Sequence, residues 1–543
     1  MTSRFARDLL IFALLMAAAV TLQWIAGAYS SELSGYPDEP SHYVTGLMIR
    51  DYIASGFATT PVRFAENFYV HYPKVAFGMW GPLLHAVEGV WMLPFSPSRT
   101  SVMLLMALIT TALAFTLARV VGREFGPFAG VGSGLLLIST GVVQFNSAMT
   151  MADNLCALMQ FWALLSFGRY LDSQKRRDAV WFGVFACLSI LTKINGVALV
   201  LLPPLALILT RRFALVKSRD FWIPAVMVLA IAGPWQYFSF RLVNGIGERY
   251  VNWSIASAYF PTILNILGPW LLPFALAGFY DRVIRPFPAG KVAGLWAAAA
   301  AMPVAFWVFH SVIPSAAAET RYTAAVVAPI LMFSVAGVAW VASLVPPRSL
   351  PFPVRAGVLA LAAACVFAAT TFTIPKKLSY GFSELAEELV NRPDLRDTAW
   401  LVSSEGEGEG MLIAEVAMRE RRPGHILLRA SKMLAVSDWD GGRYESLLPT
   451  PEQSLAYLES VPVRLLIVDR NPSRYPLAHH ASLLKMLAKY PDHWQLIGTY
   501  PRAVPVTAPN SRIEVYRLLT QENKPVGAIE INLKYTLGRT IRK

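Results

Sequence analysis

Long apolar runs broken by short polar punctuation dominate the first two thirds of the chain. They recur near residues 9–29, 100–118, 127–145, 155–170, 180–192, 197–210, 221–238, 263–281, 292–309, 324–345 and 355–374. A helix needs about 20 mainly apolar residues to cross a bilayer, so the pattern predicts eleven transmembrane helices. The first run is too long for a signal-peptide core. Ala26-Gly27-Ala28 imitates a cleavage site, but ten further runs follow, and the segment is read as an uncleaved anchor. From about residue 376 the pattern changes to short apolar strands at 398–403, 425–429, 463–469, 494–499 and 513–518, separated by helical spacing at 411–420, 451–459 and 478–489. Strands alternating with helices predict a soluble α/β layer with a mostly parallel sheet. The fold expected is a polytopic α-helical membrane protein with a C-terminal α/β domain, divided into residues 1–375 and 376–543.

Composition agrees with this pattern. Of 543 residues, 55% are hydrophobic and 15% charged, and the mean hydropathy is +0.45. That is too little charge to clothe a globule of this size, which excludes an ordinary cytosolic protein and a disordered one. The net charge of +13 would suggest nucleic acid on a soluble chain. Topology explains it instead. The segment 80–95 is apolar but contains His85, Glu88 and two prolines. With it left out as a surface or half-inserted helix and the N-terminus placed inside, 17 Lys and Arg fall on cytoplasmic loops and four (Lys193, Arg241, Arg249, Arg321) on short outer ones. Counting 80–95 as a span inverts the ratio for every later loop. The positive-inside rule therefore predicts a multi-pass inner-membrane protein with a cytoplasmic N-terminus and an extracytoplasmic C-terminal domain. No nucleic-acid partner is needed. Cys156, Cys187 and Cys365 all lie in apolar runs and define no disulfide framework.

On this topology the chemistry gathers on the outer face. The first outer loop, about 30–99, carries Tyr36-Pro37-Asp38-Glu39-Pro40, then His42, and later His71-Tyr72-Pro73-Lys74. Asp153 follows Met151-Ala152, Lys193 lies in a tight turn after Leu191-Thr192, and Glu319-Thr320-Arg321-Tyr322 precedes another span. Ionisable groups at membrane depth are costly and commonly functional. Carboxylates beside Lys and Arg at a membrane surface suit a reaction on a phosphorylated lipid: a carboxylate takes a proton from an attacking hydroxyl, and cations hold a phosphate leaving group. Each residue also has a plain structural role open to it. Asp38-Glu39 after Pro reads equally as a helix N-cap, and Lys193 and Arg321 could simply snorkel to the interface.

Taken in order, these motifs resemble those of the GT-C superfamily of polyprenyl-phosphate-dependent glycosyltransferases, which includes protein O-mannosyltransferases and lipid A aminoarabinose transferases. The resemblance covers about residues 1–345. It implies an inverting transfer of a sugar from a polyprenyl-phosphate donor to a hydroxyl of a lipid, glycan or protein acceptor at the outer face. By that likeness Asp38, Glu39 and Asp153 are the catalytic carboxylates, with Asp38 the general base or acceptor-orienting group. Lys74, Tyr72, His42, Lys193, Arg321 and Tyr322 are the substrate-binding set, with Lys74 on the lipid phosphate. Pro40-Ser41 and the α/β appendage depart from the aminoarabinose transferases and leave the acceptor open. No cofactor is required. Asp38, His42 and His71 could hold a divalent ion, but Lys and Arg alone can manage a monophosphate. The run Glu405-Gly-Glu407-Gly-Glu409-Gly410 has the wrong glycine spacing for a dinucleotide loop and reads as a flexible acidic turn. A flippase of lipid-linked sugars is the second reading, but no internal repeat or midplane charge cluster supports it. A cell-envelope scaffold is the third, and it leaves the one-sided set of ionisable groups unexplained.

Overall fold

The computed structural model describes residues 2–76, 78–242, 253–312, 318–344, 351–396, 398–437, 443–461, 463–470, 477–502, 511–520, 529–533 and 539–542. Arg249 and Arg348, used in the charge argument, lie outside them.

All eleven apolar runs are helical. They correspond to α1 (Thr2–Ala26), then, after the first loop helices α2 (Glu39–Ala54), α3 (Pro61–His71) and α4 (Leu83–Trp91), to α5 (Arg99–Phe125) and the pair α6 (Pro127–Ser139) and α7 (Gly141–Ser147). Next come α8 (Asp153–Ser173), α9 (Arg176–Thr192), and a 3-10 turn leading into α10 (Leu202–Thr210). The pair α11 (Arg219–Met227) and α12 (Gly233–Leu242) is joined through a π-helical turn, and α13 (Trp253–Phe279), α14 (Gly294–Val312), α15 (Ala324–Leu344) and α16 (Phe352–Thr370) complete the set. Among the described residues seven helical stretches are long and apolar enough to cross a membrane, and α6 with α7, bent by 68°, makes an eighth if taken as one span. The ambiguous 80–95 segment forms only the nine-residue α4. At about 1.5 Å per residue it reaches less than half of a ~30 Å hydrocarbon core.

Helix α8 is the hub of the bundle, buried along almost its whole length. The tightest helix pair is α13 with α15, where glycines remove the side chains that would hold the backbones apart. A Cβ on Gly278 would come within 2.0 Å of the Phe333 carbonyl oxygen, and one on Gly337 within 1.8 Å of that of Phe274.

The C-terminal region begins with α17 (Phe382–Val390), followed by β1 (Ala399–Ser403), α18 (Gly406–Arg419), β2 (Ile426–Arg429), the single turn α19 (Ala430–Met433), and the paired short strands β3 (Ala435–Val436) and β4 (Glu445–Ser446). Then come α20 (Pro451–Ser460), β5 (Val463–Asp469), α21 (Ala478–Lys489), β6 (Trp494–Pro501), β7 (Arg512–Leu518) and the hairpin strands β8 (Glu530–Leu533) and β9 (Arg539–Arg542). The main sheet has the order β2-β1-β5-β7-β6. It is mixed, not mostly parallel as expected: β1 pairs in parallel with β2 and β5, whereas β7 runs antiparallel to both β5 and β6. The helix-linked strands obey the parallel rule. The exception is β7, which returns antiparallel between β5 and β6. The acidic run 405–410 is not a flexible turn. It is the N-cap and first turn of α18, with Glu409 fully buried against Arg429 Nε at 2.9 Å and the Ser431 amide at 3.0 Å.

A polar seam fastens this region to the long first loop and the start of α5. Glu32 accepts hydrogen bonds from the amides of Tyr380, Gly381 and Ser383, satisfying the open N-terminus of α17. Arg99 binds both oxygens of Glu415 at 2.7 Å, and Arg422 binds Asp51 at 2.6 and 3.2 Å.

Candidate functional site

Four chain segments bring charge to one end of the bundle. Asp38 stands at the N-cap of α2, where its carbonyl receives the Ser41 and His42 amides, each at 3.0 Å. Its carboxylate makes no capping bond. Instead, Asp38 Oδ2 accepts from Arg321 Nη1 at 2.9 Å. Arg321 lies in the 3-10 turn Thr320–Thr323 that leads into α15 and is itself nearly buried. Its guanidinium covers the Tyr36 ring at 4.0 Å and approaches Glu319 at 3.6 Å, while the Tyr36 hydroxyl donates to Glu319 at 2.9 Å. Burial pushes the Tyr36 phenol upward, so it remains a donor. The circuit holds the Asp38 carboxylate in place and leaves one edge of it partly open.

The second pair lies deeper. Asp153 opens α8 and Lys193 closes α9, so each charge sits at the helix end whose dipole favours it. Lys193 Nζ meets Asp153 Oδ1 at 2.7 Å with both side chains buried, and Asp153 Oδ2 has no hydrogen-bond partner among the described residues. Tyr322 joins the two pairs, its ring 4.4 Å from Lys193 Nζ and 5.2 Å from the Arg321 guanidinium. On its other side the ring stacks on His310 at 5.2 Å. Asp153, Gln160, Lys193, Asn195, His310 and Tyr322 line one small cavity there. Sequence reasoning did not assign His310 and Gln160, although an ionisable His310 inside an apolar helix was itself a signal.

Glu39, expected beside Asp38 in the chemistry, faces the opposite way. It is fully buried, accepting from Lys377 Nζ at 2.8 Å, the Gly35 amide at 2.7 Å and the Thr150 amide at 3.3 Å. It therefore anchors the Asp38 turn to the chain that leaves the last membrane helix. His42 is buried but stays within electrostatic reach of Lys193 and Arg321. Its Nδ1 lies 2.9 Å from His85 Nε2 and its ring stacks on Trp80 at 4.1 Å. Burial, helped by the facing His85, holds His42 well below the usual imidazole range, and burial lowers His85 to about 3. The pair is neutral and shares a single proton donor. His71 turns to the C-terminal region, with Nδ1 3.0 Å from the Gly424 carbonyl. Asp38, His42 and His71 thus do not converge, and among the described residues no three His, Cys, Asp or Glu side chains form an ion-holding group.

Tyr72 also points away from the cavity. Its hydroxyl donates to Glu420 Oε1 at 2.5 Å and accepts the Gly424 amide at 3.0 Å. Lys74, two residues on, packs against α18 so closely that a Cβ on Gly410 would come within 2.6 Å of Lys74 Cε. Burial and the neighbouring Arg429 lower its ammonium to about 7, with Lys432 acting the same way and Asp38 and Glu409 opposing. Lys74 thus lies within electrostatic reach of Asp38, on the side where the C-terminal region meets the bundle.

A family model described as dolichyl-phosphate-mannose-protein mannosyltransferase matches residues 82–238. No curated protein sequence matches the chain. Among solved structures, ArnT from Cupriavidus metallidurans bound to undecaprenyl phosphate superposes with a TM-score of 0.56 at 15% identity, over 94% of this chain and 99% of that one. The apo oligosaccharyltransferase of Archaeoglobus fulgidus superposes with a TM-score of 0.55 at 13% identity, over 93% of this chain and 76% of that one. Archaeoglobus fulgidus AglB in complex with an inhibitory peptide and a dolichol-phosphate gives 0.52 at 13% identity, over 93% and 75%. The chain has the fold of the GT-C glycosyltransferases, the class its motifs resemble.

Proposed function

We propose that the protein is a membrane glycosyltransferase that moves a sugar from a polyprenyl-phosphate donor to an acceptor hydroxyl, with inversion. The observation that carries this reading is the Asp38–Arg321 pair at the open end of the bundle, with Lys193–Asp153 directly below it. The acceptor oxygen attacks the anomeric carbon while the bond from that carbon to the phosphate oxygen breaks, its electron pair leaving with the phosphate. The acceptor proton passes to Asp38. Arg321 pairs with Asp38 at rest and also takes part of the charge that develops on the leaving phosphate. Lys74 meets the phosphate from the other side, and Lys193 with Asp153 lines the sugar's cavity. No metal is needed in this scheme. The lipid phosphates held by ArnT and by AglB support the same donor class for this chain. The acceptor is a lipid, glycan or protein hydroxyl at the outer face of the inner membrane, with the N-terminus in the cytoplasm and the C-terminal domain outside.

The test is mass spectrometry of envelope lipids, glycans and proteins from a deletion strain. One sugar should disappear, return with the wild-type chain, and stay absent with Asp38→Asn produced at normal level. Asp38→Asn lowers turnover by about two orders of magnitude or more, the usual cost of losing a general base. Full restoration by Asp38→Asn overturns the assignment of the base.

A further inference from the structure

The arm that carries Lys74 is built largely on the C-terminal domain. Val70 packs into that domain's own hydrophobic core, and His71 meets the Gly424 carbonyl. The Tyr72 hydroxyl is clasped between Glu420 Oε1 at 2.5 Å and the Gly424 amide at 3.0 Å. Glu420 is nearly buried, and its second oxygen is fixed by the His425 ring at 2.6 Å and the His425 amide at 3.1 Å. It cannot follow Tyr72 if Tyr72 moves. Beyond Tyr72 the backbone has little freedom. Pro73 fixes its own φ, and the Lys74 amide closes a tight turn onto the Tyr72 carbonyl at 2.7 Å. Anchoring the Tyr72 hydroxyl therefore sets where the Lys74 side chain starts, and the bare face of Gly410 sets where it runs.

We propose that Glu420 is a positioning residue for the transfer reaction: by clasping Tyr72 it lets the C-terminal domain hold the Lys74 ammonium at the donor phosphate. This rests on the reading of Lys74 as a phosphate ligand. Glu420 touches neither donor nor acceptor. Its contribution is to keep a cation at the junction between the domain and the bundle, close to Asp38, where a free lysine arm would swing into water. The groups that face Lys74 there are Arg429 and Lys432, which resist its charge, and Asp38 and Glu409, which favour it. Glu407 on the first turn of α18 also feels the Lys74 charge.

The experiment uses the full-length protein in nanodiscs with undecaprenyl phosphate as probe, together with the pH dependence of Lys74 acylation read by peptide mass spectrometry. Wild type should bind the probe, and Lys74→Ala should weaken binding. Glu420→Ala and Tyr72→Phe should each weaken it about tenfold, the usual scale for one charge-assisted hydrogen bond. Glu420→Gln keeps one oxygen for the Tyr72 hydroxyl but gives up the charge and the acceptor that holds His425, and should fall between wild type and Glu420→Ala. Arg422→Gln, which removes a neighbouring contact to Asp51, should bind normally. The acylation midpoint of Lys74, expected near 7 in the wild type, should move alkaline in Glu420→Ala and Tyr72→Phe as the arm leaves its buried place. Normal binding and an unmoved midpoint in those two variants overturn the proposal. So does an equal shift in Arg422→Gln, which would mean that domain docking in general matters and not this clasp. Failure of wild type to bind, or binding indifferent to Lys74→Ala, strikes the functional reading itself.

Discussion

Two adjacent acids, Asp38 and Glu39, show what a residue's neighbours decide. One helical step turns the side chain by about 100°, enough to send Asp38 to Arg321 and Glu39 into the packing below Lys377. The sequence marks both as acids after proline and contains nothing local that tells them apart, because Lys377 lies more than three hundred residues away. Asp153 and Lys193 make the same point energetically. The pair is buried, so removing one partner strands the other's charge in low dielectric, at a cost of about 3–5 kcal/mol. Lys193→Met should therefore lower thermal stability markedly, and adding Asp153→Leu should recover much of the loss while leaving the enzyme inactive. A double variant no more stable than the single, measured by thermal unfolding in detergent, would show that the pair is not buried as described. Arg321→Ala makes a different prediction. Asp38 then loses its partner at the open edge of the site, so turnover should fall by at least about tenfold while the fold persists. A turnover assay on the purified variant checks this.

At the scale of elements, period and hydropathy placed the apolar helices and all five strands of the main sheet, but of the eleven spans expected only seven, or eight with α6–α7 taken as one, are long and apolar enough to cross a membrane among the described residues. The signal is long-range in the sense that matters: twenty apolar residues leave one choice in a bilayer, and strands such as β5, with its Val463–Asp469 run buried throughout but for Arg464, have little alternative. Three features escaped. The antiparallel half of the sheet depends on connections, not on strand composition. The hairpin β8–β9 is made of four-residue strands that no window resolves. The acidic start of α18 resembled a turn because its alternating glycines are poor helix formers, and only Arg429 and Ser431, twenty residues on, explain why Glu409 is buried there. The α13–α15 contact was likewise invisible, since glycine in a membrane helix is common. It yields a sharp expectation. A β-branched side chain at Gly278 or Gly337 has no room against the opposing carbonyls. Gly337→Val should cost about 1–3 kcal/mol by overpacking and lower the midpoint of thermal unfolding, whereas Gly357→Val, where a Cβ meets open space, should leave it unchanged.

For the whole molecule the decisive question is parity. The proposed site exists only if the turn at Asp38, the start of α8, the end of α9 and the turn at Arg321 share one side of the membrane. In the fold they do meet, through Tyr322 and the two ion pairs, so any topology that separates them is ruled out by geometry before charge is counted. What geometry leaves undecided is which side of the membrane they share. The basic residues carry the expectation: the clusters at 169–177 and 211–219 lie at the ends of helices remote from the site, and the positive-inside rule predicts that such ends stay in the cytoplasm. The short α4 supports the same count, because a nine-residue helix with exposed Val90, Leu93 and Phe95 at and beyond its end suits the interface and not a crossing. A phosphatase reporter joined after Lys543 should then be active and one inserted within 172–178 silent. The reversed pattern would put Asp38, Lys74 and Arg321 in the cytoplasm. A donor presented at the outer face could not reach them there, and the C-terminal clasp on Lys74 would have to act on a lipid phosphate that had not yet been flipped.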